Sequence, residues 1–71
     1  MEKKDIKVSI ILPTYNGAGY IGKSIESVIK QSFTEWELIV IDDGSTDDTA
    51  DIVKDYYCQD PRLIYLKNKK K

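Results

Sequence analysis

The chain has 71 residues, 41% of them hydrophobic and 32% charged, with 11 Lys and Arg against 12 Asp and Glu. That near-neutral balance argues against a nucleic-acid partner, and the length allows one small domain or a piece of one. No apolar run is long enough to span a bilayer, the single Cys58 excludes an internal disulfide, and without His there is no zinc-type ligand set.

The N-terminal Met1-Glu2-Lys3-Lys4-Asp5 is charged and unlike a signal peptide, so a cytoplasmic setting is expected. Lys7 to Leu12 is an apolar run with the look of a strand, and Pro13, which cannot donate to a ladder, is expected to end it. Pro13 to Gly19 has the Pro, Asn and Gly content of a loop. From Tyr20 to Gln31 the apolar residues Ile21, Ile25, Val28 and Ile29 recur at helical spacing and form one stripe for packing on a sheet. Lys23, Glu26 and Lys30 fall on the opposite face, with Glu26 four residues before Lys30 for weak ion-pair support.

Trp36 opens the most apolar stretch, which continues through Glu37-Leu38-Ile39-Val40-Ile41 to the paired acids Asp42 and Asp43. Its near-continuous, β-branched run predicts a parallel-sheet strand buried on both faces. Gly44 then supplies a turn, and Ser45 to Asp48 has the pattern of a capping box opening a second helix. Asp47, Asp48 and Asp51 crowd its first turn, where the helix dipole favours negative charge over a metal-binding role. Ile52, Val53, Tyr56 and Tyr57 give it an apolar, core-facing side. After the Asp60-Pro61 break, Arg62 to Leu66 reads as a third strand, followed by a polar Lys-rich end best read as solvated.

The order is β-α-β-α-β with short joins. Right-handed crossovers make this an α/β, Rossmann-like unit with a parallel three-stranded sheet, the first and third strands at its edges. The whole of 1–71 is expected to form one partial nucleotide-binding domain, with flexible ends at 1–6 and 67–71. A chain this short gains little from burial over the entropy of ordering it, so a truncated piece of a larger domain is expected. The unpaired edge of the first strand makes self-association an expectation.

Open α/β sheets bind ligands beyond the carboxyl ends of their strands, and two patterns compete there. Gly17-Ala18-Gly19-Tyr20-Ile21-Gly22 is literally G-x-G-x-x-G between a strand and a helix, and Asp42 lies about 20 residues beyond Gly22, the spacing of a dinucleotide (NAD or FAD) fingerprint. Pro13, Thr14, Tyr15 and Asn16 nevertheless separate Leu12 from Gly17, holding the glycines off the strand tip. The other reading uses those residues. Tyr15 offers an aromatic face on which a base can stack, and Asp43 can accept from the imide N–H that uracil carries and cytosine lacks.

Val8-Ser9-Ile10-Ile11-Leu12-Pro13-Thr14-Tyr15-Asn16, Ser27-Val28-Ile29-Lys30-Gln31-Ser32-Phe33 and Trp36-Glu37-Leu38-Ile39-Val40-Ile41-Asp42-Asp43-Gly44-Ser45-Thr46-Asp47-Asp48-Thr49 follow one another in order. Together they resemble the amino-terminal part of a family 2 inverting glycosyltransferase of the GT-A fold, from about Lys7 to Asn68. The resemblance implies a nucleotide-sugar donor, usually a UDP-sugar, and transfer to an acceptor hydroxyl with inversion. It implies that Pro13 and Tyr15 line the uracil, that Asp43 holds its N–H, and that Thr14 and Asn16 shape the loop. It gives Asp42 and Ser45 the orienting of the strand-to-helix turn, so that the implied nucleotide-binding set is Pro13, Thr14, Tyr15, Asn16, Asp42 and Asp43. Mg²⁺ or Mn²⁺ is expected in the full enzyme, held by an Asp-x-Asp beyond the third strand. No Asp-x-Asp follows Asp60 here, and neither a catalytic base nor an acceptor pocket for a glycan, lipid or protein is identified in this chain. Many relatives work at membranes, so the cytoplasmic face of one is a further expectation. A non-catalytic nucleotide-binding remnant is the third reading.

Overall fold

The chain from Trp36 to Asp42 alternates strictly between fully buried and half-buried residues, as one face of a covered strand should. The computed structural model describes residues 8–68. Its elements run β1 (Val8–Thr14), α1 (Ile21–Ile29), β2 (Trp36–Asp42), α2 (Thr49–Tyr57) and β3 (Leu63–Lys67). The strands form one parallel sheet in the order β1-β2-β3, which is the expected β-α-β-α-β arrangement with β2 in the centre. The register brings Thr14, Asp42 and Lys67 level at the carboxyl ends of the strands.

Two crossovers of the same hand put both helices on one face of the sheet. Ile21 and Ile25 of α1 and Val53 of α2 meet Trp36, Leu38, Val40 and Leu63 in a single core. The helices also touch each other, for the Tyr56 hydroxyl donates to Glu26 Oε2 at 2.6 Å. The other face carries Ile11, Ile39, Ile41, Ile64 and Leu66, and Ile11 and Leu66 are 52% and 51% exposed. The expectation of a central strand buried on both faces is therefore corrected. The β-branched run is real, but among the described residues only one face has helices to cover it.

Boundaries of four elements also move. β1 continues through Pro13 to Thr14 rather than ending at Leu12. The Val8 N–H donates to Glu35 and the Thr14 carbonyl accepts from the Asp43 N–H, so even-numbered residues of β1 turn their polar groups toward β2. Pro13 turns its missing N–H toward the outer edge of β1, where no strand pairs with it among the described residues. α1 covers its apolar stripe, Ile21–Ile29, and stops short of the expected Tyr20–Gln31, and α2 begins at Thr49, after the stretch read as a capping box. β3 ends at Lys67, within a segment expected to be flexible, and the Asn68 N–H donates to the Asp42 carbonyl at 2.7 Å. Of the expected flexible ends at 1–6 and 67–71, residues 1–6 and 69–71 lie outside the described residues.

At the amino ends of the strands, Arg62 closes the core. Its guanidinium lies 3.8 Å from the Trp36 ring centroid, forks onto Asp60 and donates to the Thr34 carbonyl. Tyr57, expected in the core, is instead 38% exposed and stacks on Tyr65 with centroids 6.3 Å apart.

With so small a core, single truncations at its centre weigh heavily. Leu38→Ala is expected to cost about 2–5 kcal/mol, most or all of the stability of a domain this size. Urea unfolding followed by circular dichroism measures it. A loss under about 1 kcal/mol would contradict the packing described.

Candidate nucleotide site

Strand alternation separates the two neighbouring acids. Asp42 points into the core and is fully buried, whereas Asp43, one residue on, is exposed at the sheet edge. Asp42 is tolerated there because its oxygens are partnered. Oδ1 accepts from the Ser45 N–H at 2.8 Å and Oδ2 from the Tyr65 hydroxyl at 2.6 Å. Burial alone pushes the Asp42 carboxyl up, but the hydrogen bonds from Ser45 and Tyr65, with the charge of Lys67, outweigh it and hold the group below the usual carboxylate range. Burial, and then the Asp42 carboxylate, push the Tyr65 hydroxyl well above its ordinary value, so Tyr65 stays the donor.

The loop after β1 is fastened to the loop after β2 by backbone and side-chain bonds. The Asn16 N–H donates to Ser45 Oγ at 2.7 Å, and Asn16 Oδ1 accepts from the Thr46 N–H at 2.8 Å. The Ala18 N–H donates to Asp47 Oδ2 at 3.1 Å. Asn16 takes a left-handed backbone (φ 49°), which an Asn tolerates better than most side chains, and Gly44 supplies the positive φ of the facing turn (φ 86°). The capping box expected at Ser45–Asp48 does not form. Ser45 Oγ is engaged by Asn16, and Asp47 Oδ1 takes the Thr49 N–H and hydroxyl at the start of α2. The Thr49 hydroxyl lowers the Asp47 carboxyl most, despite partial desolvation.

These loops frame an open cleft of about 530 Å³ lined by Pro13, Thr14, Tyr15, Tyr20, Ile41, Asp43 and Asn68. Four of the six residues singled out from the sequence, Pro13, Thr14, Tyr15 and Asp43, thus stand around one space. The Tyr15 ring is 57% exposed. Asn16 and Asp42 are not among the lining residues; the first ties the loops and the second is sealed beneath them.

Tyr20 and Asn68 line the cleft without having been singled out. Tyr20 sits inside the G-x-G-x-x-G string, where its hydroxyl lies 3.0 Å from Thr14 Oγ1, and its ring crosses Gly17. A Cβ at Gly17 would overlap Thr14 Oγ1 and come within 2.7 Å of Tyr20 Cζ, so that glycine is required by packing. A Cβ on Gly19 would meet nothing within 4 Å. Because β1 runs on to Thr14, only Tyr15 and Asn16 separate the strand from Gly17, fewer than expected. The fingerprint glycines nonetheless lack a common role, and none of them lines the cleft. Among the described residues no three His, Cys, Asp or Glu side chains converge to hold a metal ion. The described residues around the cleft offer an aromatic face and hydrogen-bonding groups.

The family described as Glycosyl transferase family 2 matches residues 9–71. The chain is 42% identical over 64 residues to a chondroitin synthase of Escherichia coli, covering 90% of this chain and 9% of that protein. Staphylococcus aureus TarS, solved in complex with UDP-GlcNAc, superposes with a TM-score of 0.81 at 41% identity, covering 90% of this chain and 19% of the other. The mannosyltransferase PcManGT of Pyrobaculum calidifontis, solved with GDP-Man and Mn²⁺, gives a TM-score of 0.81 at 28% identity, covering 90% and 20%. The chain therefore spans a fifth or less of the length of each of these proteins.

Gly17→Ala is expected to destabilise the chain by about 1–3 kcal/mol through overpacking, and Gly19→Ala to be neutral or stabilising by up to about 1 kcal/mol. Thermal unfolding of the two variants checks this. Equal losses would contradict the packing role assigned to Gly17 alone.

Proposed function

The chain belongs to glycosyltransferase family 2, and from that premise we propose that it is the donor-nucleoside-recognising part of an enzyme that moves a sugar from a UDP-sugar to an acceptor hydroxyl with inversion. One observation carries this reading: the exposed Tyr15 ring and the Asp43 carboxylate, from the tips of adjacent strands, line the same cleft. In the proposed complex, the base stacks on Tyr15 while Asp43 accepts from its imide N–H. Pro13 and Ile41 supply apolar contact to the base, and Thr14, held by Tyr20, fixes the approach of the loop. Asn16 and Asp42 act from beneath, keeping the two loops together. In the whole enzyme, Mg²⁺ or Mn²⁺, if bound there, would offset charge on the departing diphosphate, and a carboxylate base would activate the acceptor. Neither role is assigned to a residue of this chain.

A guanine base also presents a ring N–H to an acceptor, and PcManGT was solved with GDP-Man. UDP and GDP are therefore compared directly, with CDP as the control whose base lacks that N–H. UDP is expected to bind most tightly, and CDP more weakly by a factor of about 10 or more. Tyr15→Ala is expected to weaken UDP binding by roughly 5- to 150-fold, the loss of one base–aromatic stack. Asp43→Ala should remove the preference for UDP over CDP. Calorimetric titration measures all of these. Unchanged affinity in Tyr15→Ala, or a UDP-to-CDP ratio that survives Asp43→Ala, would contradict the assignment.

The edge of β1, unpaired among the described residues, and the apolar face bearing Ile11 and Leu66 also support self-association of this chain. Size-exclusion chromatography should show a mass that rises with concentration. A monomer at every concentration would exclude it.

A further inference from the structure

Tyr65 lies on the third strand and is absent from the cleft lining, yet it is bonded to the structure beneath the cleft. Its hydroxyl donates at 2.6 Å to Asp42 Oδ2, and the other oxygen of that carboxylate takes the Ser45 N–H at 2.8 Å. Ser45 Oγ in turn takes the Asn16 N–H at 2.7 Å, and Asn16 adjoins Tyr15. Four residues from three separate segments thus form one continuous line of short hydrogen bonds, from the sheet to the residue beside the exposed ring. The line is fixed at its origin. Tyr65 pairs in register with Val40 and its ring stacks on Tyr57 at an interplanar angle of 22°. A fully buried carboxylate has few alternative arrangements, because each oxygen left without its donor would carry an uncompensated charge.

We propose that Tyr65 is a positioning residue for the nucleotide cleft, setting the pose of the Tyr15 loop through Asp42, Ser45 and Asn16. The proposal rests on the reading of the cleft as a nucleotide site. The removal of one hydroxyl 23 residues away from Asp42 in sequence then alters ligand binding without touching a ligand contact. With Tyr65 unable to donate, Oδ2 of Asp42 loses its partner, the carboxylate can turn toward other donors, and the Ser45 N–H and the loops tied to it lose their fixed reference.

The test compares Tyr65→Phe with Tyr56→Phe in the full chain. Both changes delete a tyrosine hydroxyl that donates to a carboxylate at 2.6 Å, but the Tyr56 bond joins the two helices through Glu26 and has no link to the cleft. In ligand-free ¹H–¹⁵N spectra, Tyr65→Phe should move the amide peaks of Tyr15, Asn16, Ser45 and Thr46, and Tyr56→Phe should leave them in place. UDP affinity should fall by roughly 3- to 30-fold in Tyr65→Phe and stay at the wild-type value in Tyr56→Phe.

A pH titration of the Asp42 carboxyl by ¹³C NMR separates positioning from loss of bulk stability. The groups facing Asp42 are Ser45 on the turn and Tyr65 and Lys67 on β3, with Tyr57 of α2 behind Tyr65. Because the folded Asp42 sits below its ordinary value, its stabilising contribution is present above that value and is lost as pH falls through the folded one. Tyr65→Phe should raise the Asp42 midpoint, so that the loop peaks begin their acid-induced shift at a higher pH. Loop amides that do not respond to Tyr65→Phe, or equal losses of UDP affinity in the two variants, would overturn the proposal. A wild-type chain indifferent to UDP would remove the nucleotide reading alone, and the ligand-free loop comparison would still decide whether Tyr65 sets the loop pose.

Discussion

The carboxylate of Asp42 is the constraint on which the site depends. A charge with no exposed surface at the end of the central strand must be met by donors from its surroundings, or the strand would not end there. The donors come from two different directions, the Ser45 N–H of the following turn and the Tyr65 hydroxyl of the neighbouring strand. Its own carbonyl takes the Asn68 N–H, and the next residue's N–H goes to Thr14 on the opposite side. The tips of all three strands are thus gathered around one residue. Asp43 stands outside this cluster by the plain geometry of a pleated strand, which turns consecutive side chains to opposite faces. One acid of the pair holds the scaffold, and the other, exposed at the strand tip, is the one proposed to contact the base.

The two halves of the site differ in how they are built. The floor is hydrogen-bonded and buried, and its geometry follows from the sheet register of Thr14, Asp42 and Lys67. The wall is a loop with little apolar anchoring, held by bonds that cross between two turns at Asn16, Ser45, Thr46 and Asp47. The covering of the sheet is equally lopsided. α1 and α2 both lie against Leu38 and Val40, while Ile11 and Leu66 stay exposed on the other face.

Much of this was legible in the residues. The central strand announced itself by its unbroken apolar run from Leu38 to Ile41, and the helical stripe of Ile21 and Ile25 fixed the packing side of α1. The order β-α-β-α-β then left the parallel sheet as the natural outcome. What misled was context that local rules do not carry. Pro13 ends a strand only if its N–H is needed, and on an edge strand it is not. Ser45 has the spacing of a helix cap, but a backbone N–H from a distant loop competes for its oxygen and wins. Tyr57 has core spacing, yet the ring of Tyr65 offers it a partner at the surface. Tyr65 and Asn68 enter the site or its support through pairings with Asp42 far apart in sequence, and Tyr20 through a nearby contact with Thr14 across the loop, and spacing alone gave no sign of them. The G-x-G-x-x-G string shows the reverse error, a pattern complete in letters whose glycines have unrelated roles in space.

The central claim is that this cleft, at the tips of β1 and β2, recognises the base of a nucleotide through Tyr15 and Asp43. The most direct measurement is a ¹H–¹⁵N map of the chain titrated with UDP, with NAD titrated in parallel. The account predicts peaks that move with UDP and cluster at Thr14, Tyr15, Tyr20, Ile41, Asp43 and Asn68, with no response to NAD. Movements centred on Gly17, Gly19 and Gly22 in the presence of NAD, with UDP silent, would contradict it.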